Sequence, residues 1–210
     1  MGVFIKVSMQ AFQGDGSSFM WAIILAAAVA VALLIERALF LFVRCGVKGN
    51  QKYNDLITSI DNNGVEESIS IVSNSRNPLE VVLSNILEYK DMGYDYVQRK
   101  INISFLSEIP KINKNVGLLN MVANIATLLG LLGTIVGLIM AFDAVANVEA
   151  SKRAEALAMG ISIAMVTTAF GLMIAIPTLF FHGMVVAQSE RIVELMDEKS
   201  TKLINKLFNK

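Results

Sequence analysis

Two runs of this chain set small, hydroxyl-bearing and amide-bearing residues among long uncharged stretches. In the first, Asn120, Asn124, Thr127, Leu131 and Thr134 step by four, three, four and three residues, which keeps them on one helical face. In the second, Thr168, Gly171, Ala175, Thr178 and His182 step by three, four, three and four. A polar side chain in an apolar helix turns toward protein or a water-filled cavity, because hydrocarbon leaves its hydrogen bonds unmade. Such stripes either glue helices together or line an ion path. Neither stripe places an Asp, Glu or Lys at mid-helix. His182 stands near the inner end of its run, where it reads as an interfacial residue, with a proton relay as the alternative. A titrating carrier for an ion path must therefore come from another chain.

The elements that position these stripes follow from composition. The 210-residue chain is 54% hydrophobic and 17% charged, and both 117–142 and 156–186 contain no Asp, Glu, Lys or Arg. A bilayer core of roughly 30 Å needs about 20 helical residues. Three stretches satisfy this: 19–43, 117–142 and 156–188. The first follows Ser17 and Ser18, read as an N-cap, carries Trp21 as an interfacial anchor, and ends near Glu36 and Arg37. Gly130, Gly133 and Gly137 let another helix come close to the second. Residues 1–18 read as a short interfacial helix with no leader removed.

Nine Lys and Arg lie in 44–116 and five in 189–210, against two in the 143–155 loop and one in 1–18. The positive-inside rule then puts 44–116 and the C-terminal helix 189–210 in the cytoplasm, with the N-terminus and the short 143–155 loop in the periplasm. Within 44–116, Asn77-Pro78 starts a helix with Leu79, Val82, Leu83, Ile86 and Leu87 at spacings of three and four. Asp61 to Gly64 and Met92-Gly93 mark breaks. Val97, Ile101, Phe105, Leu106 and Ile109 carry a further helix toward the second span, with Pro110 as a kink. The expected fold is an all-α membrane protein, three transmembrane helices extending into a cytoplasmic helical hairpin.

Ala126-Thr127-Leu128-Leu129-Gly130-Leu131-Leu132-Gly133-Thr134-Ile135-Val136-Gly137 resembles the second-span signature of the MotA/TolQ/ExbB proton-channel family. The runs 156–162, 167–172 and 175–177, and Ile35-Glu36-Arg37 closing the first span, are similar to its ExbB/TolQ branch. The resemblance implies a homopentamer around single-span ExbD/TolR-type partners whose transmembrane aspartate carries the proton, driving a TonB- or TolA-dependent envelope process from the inner membrane. Thr134 and Thr168 match the family's pore threonines, with Asn124, Thr127 and Thr167 assigned to the same path. Gly160, Gly171 and Pro177 join Gly130, Gly133 and Gly137 as helix-packing positions. Two departures stand out: Ile163 where the family often has glutamate, and Thr127 where a proline is common. Coupling to H+ or Na+ therefore stays open.

Glu36 and Arg37, as adjacent residues, point in different directions and are not expected to pair with each other. They read either as snorkelling interface charges or as partners for another chain. Net charge is zero and there is one cysteine, Cys45, read as a small apolar residue. Nothing therefore points to nucleic acid, a disulfide, a metal or a cofactor. No nucleophile–base pair or phosphate loop supports an enzyme. A non-conducting scaffold that assembles an envelope complex is the alternative reading, and a channel sufficient on its own is a third.

Overall fold

The computed structural model describes residues 12, 17–46, 48–73, 75 and 77–208. Apart from Phe12, Ser17 and Ser18, the expected interfacial helix over 1–18 lies outside the described residues. Among those described, short turns separate helices and no strand occurs. Helix α1 is Ser17–Ala38, continued by a wider-wound segment Leu39–Gly46. Then come α2 Lys48–Asn63, α3 Val65–Val72, α4 Pro78–Glu88, α5 Tyr94–Asn113, α6 Val116–Asn147 and α7 Arg153–Phe208. Three apolar stretches are long enough to cross a membrane: Ser17–Val43, one within Tyr94–Asn147 and one within Ala150–Phe208. Ser17 and Ser18 are both helical within the described part of α1.

The chain divides into two compact units, Met1–Leu34 with Gly117–His182, and Ile35–Val116 with Gly183–Lys210. In the first, Ala26 and Ala30 of α1 pack on Val122 and Ala126 of α6, with Leu33 and Ile174 at the edge. Alanines at four-residue spacing remove side-chain bulk from that seam, so the helix backbones approach closely. Met20 and Val166 form a second cluster with Phe12, Ile163 and Phe170. The outward faces stay apolar: Trp21, Leu128, Phe142, Met165 and Phe180 are each more than 60% exposed. So many exposed apolar side chains suit hydrocarbon as the surrounding solvent.

In the second unit, α2 packs on α3, α3 on α4 and α4 on α5. Asn77 caps α4, its side-chain oxygen accepting from the Leu79 amide at 3.0 Å, and Pro78 takes the first helical position. This is the start signal expected from a capping Asn before a proline that lacks the N–H. Leu79, Val82, Leu83, Ile86 and Leu87 are all buried. The buried face of α5 differs from its expected apolar list. It runs Val97, Ile101, Ser104, Glu108 and Ile112, while Leu106 is 76% exposed. The polar members are accommodated by their bonds: Ser104 accepts from Asn85 Nδ2 and donates to the Lys100 carbonyl, and Glu108 pairs with Lys111 at 2.6 Å.

The two expected breaks narrow to their glycines. Helix α2 continues through Asn63 and the chain turns at Gly64, whose φ of +87°, like the +89° of Gly93, is a left-handed setting that glycine adopts without strain. Pro110 lies inside α5, which ends at Asn113, and Asn115 takes φ +59° just before α6. Asparagine is among the few side chains that tolerate that region. The end of α7 joins this unit through Lys206 to Asp61 at 2.6 Å and through an edge contact of Phe208 on Tyr94. Lys199 stands 5.0 Å over the Tyr53 ring, whose phenol is pushed up from its ordinary pKa by burial.

Candidate ion-path site

The contact between α6 and α7 is built on glycine. A methyl group added at Gly171 would come within 2.6 Å of the Ala126 carbonyl oxygen, and one at Gly130 within 3.2 Å of the Thr168 Cα. At Gly133 it would meet the Thr167 side chain at 2.8 Å, at Gly137 Ala164 at 2.9 Å, and at Gly160 Ala141 at 2.3 Å. These pairs descend one helix as they climb the other, so α6 and α7 are antiparallel neighbours touching backbone to backbone. Ala141, Ala164 and Ala175, all buried, complete the seam. Sequence reasoning left Ala141 and Ala164 unassigned, although both sit at four-residue spacing from glycines already singled out.

The two polar stripes are treated differently by this packing. On α7, Gly171, Ala175 and Thr178 are buried and the Thr178 hydroxyl donates to the Ile174 carbonyl. Thr167, expected on an ion path, is 3% exposed, donates to the Ala164 carbonyl at 2.6 Å and fills the space over Gly133. It is placed in the helix–helix seam because it lies about 100° round the helix from Thr168. Pro177, expected in packing, is exposed, since Gly171, Ala175 and Thr178 already occupy the inward face. His182 is half-buried.

On α6 the stripe stays open. Asn120, Asn124, Thr127 and Leu131 are exposed and Thr134 is partly so. Their polar groups are satisfied only locally: Asn124 donates to Asn120, Thr127 to the Ala123 carbonyl, and Thr134 to the Leu131 carbonyl at 2.6 Å. Thr168 is half-buried and donates to the Gly130 carbonyl at 2.9 Å. That bond sets Thr168 level with Gly130, four residues or about 6 Å along α6 from Thr134. A threonine hydroxyl retains acceptor lone pairs after donating once, so these groups can still receive a proton donor or coordinate a cation.

Glu36 and Arg37 form a separate cluster within the second unit, and here the expectation that neighbours would not pair fails. Arg37 Nη2 reaches Glu36 Oε1 at 2.7 Å, while Nη1 donates to the Lys111 carbonyl at 3.3 Å. The long, flexible arginine stem lets the guanidinium fold back toward a residue whose Cβ points elsewhere. The other Glu36 oxygen accepts from Asn115 Nδ2 at 2.9 Å. Arg37 is 3% exposed and lies 5.1 Å from the Phe40 ring centre, so it does not snorkel to water. Asn115 was missed by sequence reasoning, which had no signal that a residue 79 positions away would meet Glu36.

Comparison with known proteins converges on one family. The profile of the MotA/TolQ/ExbB proton channel family matches residues 74–198. The chain is 30% identical over 172 residues to "Biopolymer transport protein exbB1" of Vibrio cholerae, covering 81% of this chain and 75% of that one. It is 29% identical over 154 residues to "Putative biopolymer transport protein ExbB-like 3" of Synechocystis, covering 73% of each. It is 30% identical over 99 residues to "Biopolymer transport protein ExbB" of Helicobacter pylori, covering 45% of this chain and 68% of that one.

Proposed function

This chain belongs to the MotA/TolQ/ExbB proton channel family, and from that premise we propose that it is the stator subunit of a motor driven by the proton motive force. Its relatives are channel and transport proteins rather than enzymes. In this reading, copies of the chain form a ring, a pentamer, around a single-span partner of the ExbD/TolR type. The partner supplies the membrane aspartate that neither polar stripe contains. A TonB- or TolA-like protein then carries the work to the envelope. The chain lies in the bacterial inner membrane with its N-terminus periplasmic and 44–116 and its C-terminus cytoplasmic.

The observation that carries the reading is the open stripe on α6, which the chain's own helices leave exposed. Exposed amides and hydroxyls in an apolar helix need a polar neighbour, and a partner carboxylate alternating between charged and neutral forms is one. Thr134 and Thr168, a turn apart in level, are the hydroxyls assigned to meet it, with Asn124 and Thr127 leading along the same face. Thr167 acts indirectly by holding α7 against Gly133. Replacing Thr134 or Thr168 with Val removes a hydroxyl at almost constant volume. The expected result is loss of energy-dependent uptake or envelope integrity at normal membrane levels of protein. Full activity in both variants would overturn the threonine roles, and a copurified partner lacking any membrane aspartate would overturn the motor.

A further inference from the structure

A cavity of about 430 Å³ lies in the second unit at the end of the first apolar helix. Its charged lining is Glu36, Arg37, Glu108, Lys111 and Lys114, and Phe40 and Pro78 add apolar wall. Both carboxylates are already engaged, Glu36 by Arg37 and Asn115 and Glu108 by Lys111. Lys114 makes no ion pair among the described residues. Three cations against two carboxylates leave one positive charge uncompensated. The Arg37 guanidinium in the wall is 3% exposed, and its Nε is the only buried side-chain polar atom without a hydrogen-bond partner among the described residues. Because that atom is enclosed, the guanidinium acts on the cavity as fixed charge, and the surplus positive charge calls for an anionic ligand.

We propose that this cavity holds the phosphate of an anionic phospholipid, a role that does not depend on the ion path. Lys111 and Lys114 contact the phosphate from the rim, where Lys111 is 60% exposed, and Arg37 supplies fixed charge behind them. Two features favour a lipid over a soluble phosphate. Residues 36–40 lie near the end of the first membrane-length stretch, Ser17–Val43, where its two charges fall, and 111–114 immediately precede α6, which carries the apolar part of the second, so the cavity lies where charged residues meet both apolar stretches. Basic pockets at such positions take lipid head groups. Phe40 and Pro78 give the glycerol and upper acyl carbons an apolar surface that inorganic phosphate could not use. The charge surplus further selects an anionic over a zwitterionic lipid, because an amine-bearing head group would find both carboxylates occupied.

The test is native mass spectrometry of the full-length protein in detergent, titrated separately with phosphatidylglycerol, phosphatidylethanolamine and inorganic phosphate. The K111Q/K114Q variant is expected to retain phosphatidylglycerol at least fivefold less well than the parent chain, and K111R/K114R to retain it as the parent does. K111Q also strips the buried Glu108 of its ion-pair partner, so K114Q alone, at an exposed lysine with no ion pair among the described residues, separates folding from binding and is expected to lose about half of that retention. Unchanged retention in the glutamine variants would overturn the site. Displacement of the lipid by low millimolar inorganic phosphate, or equal retention of phosphatidylethanolamine, would overturn the assignment to an anionic lipid.

Discussion

Thr134 and Thr167 are nearly the same local structure in two different surroundings. Each donates its hydroxyl to the carbonyl three residues back in its own helix at 2.6 Å. Thr167 then disappears beneath Gly133 at 3% exposure, whereas Thr134 remains partly open. The same contrast extends along both helices. The α7 stripe is largely consumed inside the subunit by Gly171, Ala175 and Thr178, and the α6 stripe of Asn120, Asn124 and Thr127 is left for something outside it. A hydroxyl's chemistry therefore depends less on its helix than on whether a glycine across the seam lets it be covered.

Five experiments test this contrast. The largest effect is expected for Gly171→Ala on the covered side, where the new methyl meets a backbone carbonyl at 2.6 Å that cannot rotate away. A loss of about 1–3 kcal/mol of stability is expected, as for other overpacked cores, measured as a lower Tm in detergent and a lower membrane level. A Tm equal to that of the parent chain would show that the seam is looser than described. Next, Thr134→Val should reduce transport-linked activity at least tenfold, about 1.4 kcal/mol in rate terms, with its Tm little changed. Thr167→Val should do the reverse, keeping activity within about threefold while losing roughly 1 kcal/mol for the broken hydrogen bond. Equal activity losses in the two variants would erase the distinction between open and covered threonines.

Smaller effects set the floor. Gly183, also in α7, has nothing within 4 Å of an added methyl. Gly183→Ala should therefore stabilise by about 0.5–1 kcal/mol through helix propensity alone, a rise in Tm that would separate packing glycines from merely helical ones. The exposed pair of Glu198 and Lys202, far along the same helix, gives the least. Hydrogen bonds from Lys202 and Lys199 hold the Glu198 carboxyl below its ordinary value. A depressed folded-state pKa contributes stability above the unfolded value, near 4.5, and that contribution fades as pH falls through the folded value. Hydrogen bonding to Glu198 raises Lys202, whose share is present below about pH 10.5 and fades as pH climbs past its folded value. Glu198→Gln should flatten the acid limb of a Tm against pH curve and, by freeing Lys202, the alkaline limb as well, each by an amount near the limit of detection because both groups are solvated.

The departure from the family at Ile163 also takes on a physical meaning. Ile163 packs with Met20, Val166, Phe12 and Phe170 in an apolar cluster between α1 and α7. A glutamate there would face that cluster rather than the α6 stripe, so isoleucine suits the surroundings this chain provides.

Much of this molecule was set by patterns that act over a few residues. Uncharged runs of membrane length, the Asn77-Pro78 start, the period of Leu79 to Leu87, and glycines able to bring helices together all follow from local sterics and hydrophobicity, which a linear chain already contains. The tertiary structure alone decided which face of each helix was covered. Spacing records that Thr167 and Thr168 share a helix, but only the antiparallel register of α6 on α7 turns one into the seam and bonds the other to Gly130. It also decided the Glu36 and Arg37 cluster, where Asn115 and the Lys111 carbonyl arrive from more than 70 residues away. Periodicity reports the angle of a side chain about its own axis, and burial depends on a second axis that no single helix contains.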